Sequence, residues 1–146
     1  MIRFVVVAAG LFLGATVVLA QSEDPVALRQ DLMKANGRAA KTATAMVRGQ
    51  EPFDLAKAQE VLKTYVNTAD KFGALFPETS KTGHDTTAAP KIWEDKAGFE
   101  AAIAKFGADA RKGLTDTKDL ETFKVAFTAV GRNCSSCHET FRIRKN

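Results

Sequence analysis

Leu120-Glu121-Thr122-Phe123-Lys124-Val125-Ala126-Phe127-Thr128-Ala129-Val130-Gly131-Arg132-Asn133-Cys134-Ser135-Ser136-Cys137-His138-Glu139-Thr140-Phe141 is the stretch from which the fold can be read. Leu120, Phe123, Phe127, Val130, Cys134, Cys137 and Phe141 recur at alternating steps of three and four. That is the stripe of an amphipathic helix. Upstream, the pattern repeats three times. Asp24-Pro25 reads as an N-cap with proline in the first turn. From there Leu28, Leu32, Ala35, Ala39, Ala43 and Met46 run at helical spacing to Gly49. A second segment opens at Asp54 and carries Leu55, Ala58, Leu62, Tyr65, Ala69, Phe72 and Phe76 before Pro77 stops it. A third holds Phe99, Ile103, Phe106 and Ala110 and ends near Gly113, and the fourth starts around Thr117 to Asp119. Residues 77–95 form the one long break, and no segment alternates with period two. Four helices on mostly short connections predict an all-α chain, an antiparallel up-down-up-down four-helix bundle.

The fourth helix also carries the chemistry. Cys134-Ser135-Ser136-Cys137-His138 is C-x-x-C-H, the attachment sequence for c-type haem. Thiols at i and i+3 leave one side of a helical turn and can add to the two vinyl groups of one porphyrin. The adjacent histidine can then turn to the iron. Cys134, Cys137 and His138 share about a third of the helix circumference with Phe127 and Phe141, so the haem belongs in the bundle core. The competing readings fit less well. A thioredoxin-like C-x-x-C opens a helix in a βαβ unit, whereas this one closes a helix in a chain without strands. Zinc needs a fourth ligand, for which only His84 is available. A disulfide at this spacing within a helix has poor geometry and leaves the histidine unexplained.

Composition agrees with the pattern. The chain has 146 residues, room for one domain, and is 45% hydrophobic with 24 alanines, one Tyr and one Trp. Its 21 basic and 17 acidic residues are interspersed, unlike the clustered charge of a nucleic-acid binder. Met1-Ile2-Arg3, the apolar run from Phe4 to Leu19, and Ala20 before Gln21-Ser22-Glu23-Asp24 read as a secretory signal peptide cleaved after residue 20. The run is short for a membrane anchor. Residues 21–146 would then form the domain, exported to the periplasm and no longer tied to a membrane.

The topology also orders candidates for a second iron ligand. With the first and fourth helices antiparallel, His138 lies roughly 7–8 Å from one end of the bundle and Met33 roughly 12 Å from the same end. Met46 falls about 20 Å further along. Met33 is therefore the methionine at the right height; its alternative is ordinary core packing. Arg29, one turn earlier, shares that face and would pair with a haem propionate or else extend its guanidinium to solvent. His84, in the turn-like Thr82-Gly83-His84-Asp85, is a weaker rival for the iron. Phe76 and Trp93 flank the same loop and would pack on helix ends or wall off a haem edge.

These residues resemble a known family. Arg29-Gln30-x-x-Met33 on the first helix and Cys134-x-x-Cys137-His138-x-x-x-Arg142 near the C-terminus are similar to cytochrome c′, the class II c-type cytochromes. The resemblance spans essentially all of residues 21–146. It implies one covalent haem c per chain, proximal ligation by His138, a distal side formed by the first helix, Arg29 near the propionates and Arg142 close to the proximal histidine. Homodimers are common in the family, although no exposed apolar seam in this chain marks one. The family has a five-coordinate branch that binds nitric oxide or carbon monoxide and a low-spin branch ligated by a methionine. Leu32-Met33-Lys34 and the 76–93 loop look like the low-spin branch, and methionine also occurs there in high-spin members.

With His138 and Met33 both on the iron, no coordination position remains for substrate, and one-electron transfer is the expected function rather than catalysis. Arg142, Arg144 and Lys145 would steer an acidic redox protein or form a solvated tail. Gas binding at an open distal face is the alternative, and thiol–disulfide exchange at Cys134 and Cys137 a third.

Overall fold

The structure, a computed structural model, describes residues 24–83 and 85–144. The expected leader (1–20), His84 and Lys145 lie outside them. Four long helices form the body: α1 (Pro25–Val47), α2 (Leu55–Phe72), α4 (Lys96–Asp116) and α5 (Leu120–Phe141), with a single turn, α3 (Lys91–Glu94), ahead of α4. Each long helix opens on an aspartate. Asp24 accepts from Val26 N at 2.9 Å, Asp54 from Lys57 N at 3.0 Å, Asp95 from Gly98 N at 3.1 Å and Asp119 from Thr122 N at 2.8 Å. Each cap satisfies a backbone donor that the helix itself cannot. At α5 the Thr122 hydroxyl answers from the other side, completing a capping box.

The helices pack in chain order, α1 on α2, α2 on α4 and α4 on α5, as an antiparallel four-helix bundle. The ring does not close evenly: α1 barely touches α5. One apolar cluster gathers Ala43, Met46, Leu62, Tyr65, Phe123 and Val130 through the body of the bundle. A smaller one at the other end gathers Ile92, Phe99 and Phe141 with Phe72, Phe76 and Trp93 around them. Met46 is 1% exposed in the larger cluster, which is the packing role left to it by its height on α1.

Two boundaries differ from the sequence expectation. Gly113 does not end the third helix but sits buried inside α4, which continues to Asp116. A methyl there would meet Ala126 Cβ at 2.9 Å and Leu62 Cδ2 at 3.2 Å, so glycine is required by the close approach of α2, α4 and α5. The 77–95 break is also more ordered than a plain loop. Short 3₁₀ turns at Gly73–Leu75 and Glu78–Ser80 continue from α2, and α3 follows. The returning strand-like segment then pairs with the chain end: Ala89 N donates to Phe141 O at 3.0 Å and Ile143 N to Thr87 O at 2.8 Å.

Candidate functional site

Where α1 and α5 part, a groove of about 640 Å³ opens between them. Native interiors are close-packed, so a space of this size in so small a bundle marks a ligand site. Met33 and Arg29 line it from α1, Cys134, Cys137 and His138 from α5, and Thr86 to Ala88 from the returning loop. The five residues singled out in the sequence thus share one cavity. Met46 and Trp93 are not on its wall. Phe76 is, and Trp93 supports it from behind, donating its indole N–H to Phe76 O at 3.1 Å.

The two thiols are free and half-buried at the seam between the two apolar clusters. Cys134 packs on the larger and Cys137 on the smaller. Burial raises both thiol pKa values, and the neighbouring Cys134 raises that of Cys137 further. Neutral, poorly ionised thiols make weak redox centres, which argues against thiol–disulfide exchange. His138 stands at the groove surface near the end of α5. Partial burial lowers its pKa, and the Arg142 guanidinium lowers it further, both favouring the neutral imidazole that a metal requires.

Arg29 is the most unusual side chain of the groove. It is 5% exposed, so it does not extend to solvent. Its Nη2 donates to Ser80 O at 3.1 Å, and its guanidinium carbon lies 4.4 Å from the centroid of the Phe76 ring. Burial lowers its pKa, against the attraction of Asp24. Nη1 is fully enclosed and makes no hydrogen bond among the described residues. A buried, unsatisfied charged donor is costly. An anionic group bound in the groove would satisfy it. An apolar cavity, paired thiols one turn apart, a neutral histidine and a buried cation with a donor to spare fit a haem with its propionates.

The polar framework around the motif was not legible in the sequence. Asn133, beside Cys134, is buried and donates from Nδ2 to Asp109 Oδ2 at 2.7 Å and to Ala129 O at 3.1 Å. On the opposite wall Thr68, 1% exposed, donates to Asn36 Oδ1 at 2.8 Å. The signal for Asn133 was an amide within the buried arc of α5 between Val130 and Cys134. Phe141 and Ile143, on either side of Arg142, are hydrogen-bonded to the loop. Arg142 and Arg144 remain exposed.

Comparison with known proteins gives the same picture. The family model described as cytochrome C′ matches residues 24–142. A cytochrome c′ of Rhodopseudomonas palustris is 40% identical over 145 residues, 99% of each chain. A cytochrome c-556 of the same organism is 38% identical over 151 residues, again 99% of each. The solved structure of a cytochrome c′ from R. palustris superimposes with a TM-score of 0.82 at 42% identity, covering 86% of this chain and all of that one.

Proposed function

The chain belongs to the cytochrome c′ family, the class II c-type cytochromes, and on that premise we propose that it is a periplasmic one-electron carrier with His138 and Met33 as axial ligands of a covalent haem c. Cys134 and Cys137 would hold the haem through thioether bonds, and Arg29 would donate to a propionate. The observation that carries this reading is the sharing of one groove by Met33 on α1 and His138 on α5. When bound, the haem supplies a one-electron couple, whose potential is raised by Met/His ligation.

The residues of the chain do the rest. α5 presents both sulfurs and the imidazole from adjacent turns, and Arg142 helps to keep that imidazole neutral. The aromatic cluster of Phe72, Phe76, Phe99 and Phe141 excludes water from one end of the groove. Arg142 and Arg144 offer positive charge beside it for docking an acidic redox protein.

Gas binding at a five-coordinate iron is the second reading, favoured by the likeness to cytochrome c′, which is as strong as that to cytochrome c-556. The test is the optical spectrum of the exported holoprotein, oxidised and reduced, with and without carbon monoxide. A low-spin spectrum with a methionine–iron charge-transfer band, insensitive to carbon monoxide, is expected. A high-spin spectrum that shifts with carbon monoxide would overturn the electron-carrier reading in favour of gas binding.

A further inference from the structure

We infer that the hydrogen bond between Thr68 and Asn36 is a brace that holds Met33 at the groove, making both positioning residues for the distal side of the haem. α1 is anchored unevenly along its length. Its C-terminal half is fastened by Ala39, Ala43 and Met46 in the larger apolar cluster, and its first turn by Val26. Between Val26 and Ala39 the only buried residue of α1 is Arg29. This stretch lines the groove instead of packing closely on α5. Two polar ties reach from it across to neighbouring elements. Arg29 reaches Ser80 O across one end, and Asn36 receives the Thr68 hydroxyl across the other.

Met33 lies between these two ties. Arg29 precedes it by four residues and Asn36 follows it by three, about 6 Å and 4.5 Å along the axis. Of the two, the Thr68 tie is the more strictly specified. Thr68 is 1% exposed, and leaving a hydroxyl enclosed to that degree unpaired is costly. Asn36 Oδ1 is its acceptor at 2.8 Å, a link between helices 32 residues apart in the chain. Cutting it removes one of the ties that hold the Met33 segment. The segment then spends more time away from the iron, and the distal face opens more often to a diffusing ligand.

The inference builds on the proposed placement of Met33 opposite His138, and the test separates the two. In the holoprotein, Thr68→Val keeps the side-chain shape and removes the donor. The open fraction of the Met33 segment should rise about two- to tenfold, the value of one lost hydrogen bond, and wherever the wild-type iron takes carbon monoxide its apparent affinity should rise by the same factor. Backbone amides of 30–36 should exchange faster, and Thr68→Ser should restore both readouts. The sign is the same whether Met33 bonds the iron or only covers it. Which of those holds is read from the charge-transfer band of the wild-type protein and its loss in Met33→Leu, so the electron-carrier reading can fail while the brace stands. Asn36→Ala, at a half-buried position, carries the same test from the other partner should Thr68→Val not fold. Amide exchange of 30–36 equal to wild type in the folded variants would overturn the brace.

Discussion

Asn133 and Asp109 tie the C-x-x-C-H turn to the neighbouring helix: the Asn133 amide donates to Asp109 Oδ2 at 2.7 Å, one residue before Cys134. Lys105 Nζ contacts the same oxygen at 2.7 Å. Hydrogen bonds from Lys105 and Asn133 hold the Asp109 carboxyl below its ordinary value of 3.8. A carboxylate with a depressed pKa contributes stability that is complete above its unfolded value and is lost as pH falls through the folded one. Acid titration of Asp109→Asn should therefore show a shallower loss of stability below about pH 4 than wild type. At neutral pH, Asn133→Ala should cost about 1–2 kcal/mol, measured by urea unfolding of both proteins. Equal acid profiles for Asp109→Asn and wild type would remove the pair from the account.

Met33→Leu should leave the haem covalently attached and abolish the methionine–iron band, with carbon monoxide binding appearing in the reduced protein. Met46→Leu should leave the spectrum unchanged, because Met46 is enclosed in the larger apolar cluster and is not on the groove wall. A swap of similar volume at that site should cost less than about 1.5 kcal/mol by thermal unfolding. The two methionines are thus separated by one spectrum.

Arg29→Met removes a buried positive charge from the groove. The oxidised haem carries one more positive charge than the reduced, so a nearby cation favours reduction. Its loss should lower the midpoint potential by about 20–60 mV, the range of up to tenfold in a one-electron equilibrium. Arg29→Lys should recover part of that shift while losing the forked geometry. Spectroelectrochemistry at fixed ionic strength gives the values, and a potential unmoved by Arg29→Met would separate this guanidinium from the haem.

Gly113→Ala tests a close crossing of three helices. An alanine in a helix interior ordinarily gains about 1 kcal/mol over glycine. Here its methyl would lie 2.9 Å from Ala126 Cβ and 3.2 Å from Leu62 Cδ2. Overpacking should reverse the sign, giving a net loss of about 1–2 kcal/mol in calorimetry. A raised melting temperature would show that the three helices can move apart there without cost.

Most of the architecture was legible from the residues because helices announce themselves locally. The three-and-four spacing of Leu120 to Phe141 and the aspartates at 24, 54 and 119 place three of the four long helices within a few residues. The Asp95 cap and the α3 turn were obscured by the polar, proline-bounded loop around them. Gly113 marks the helix end only to within three residues, because a glycine demanded by a crossing helix looks the same in sequence as one that ends a helix.

The C-x-x-C-H motif likewise stood complete in one turn of α5, since two sulfurs and an imidazole on neighbouring positions need no partner segment to define their chemistry. What the tertiary structure decided was everything that depends on two distant segments meeting. It left α1 apart from α5 to form the groove, and it enclosed Arg29 with one donor unsatisfied instead of letting it reach solvent. It seated Thr68 against Asn36 and closed the 87–89 segment onto the chain end. Periodicity records which face of a helix is apolar. Which neighbour that face meets, and how much room remains between them, is set by the packing of all four helices at once.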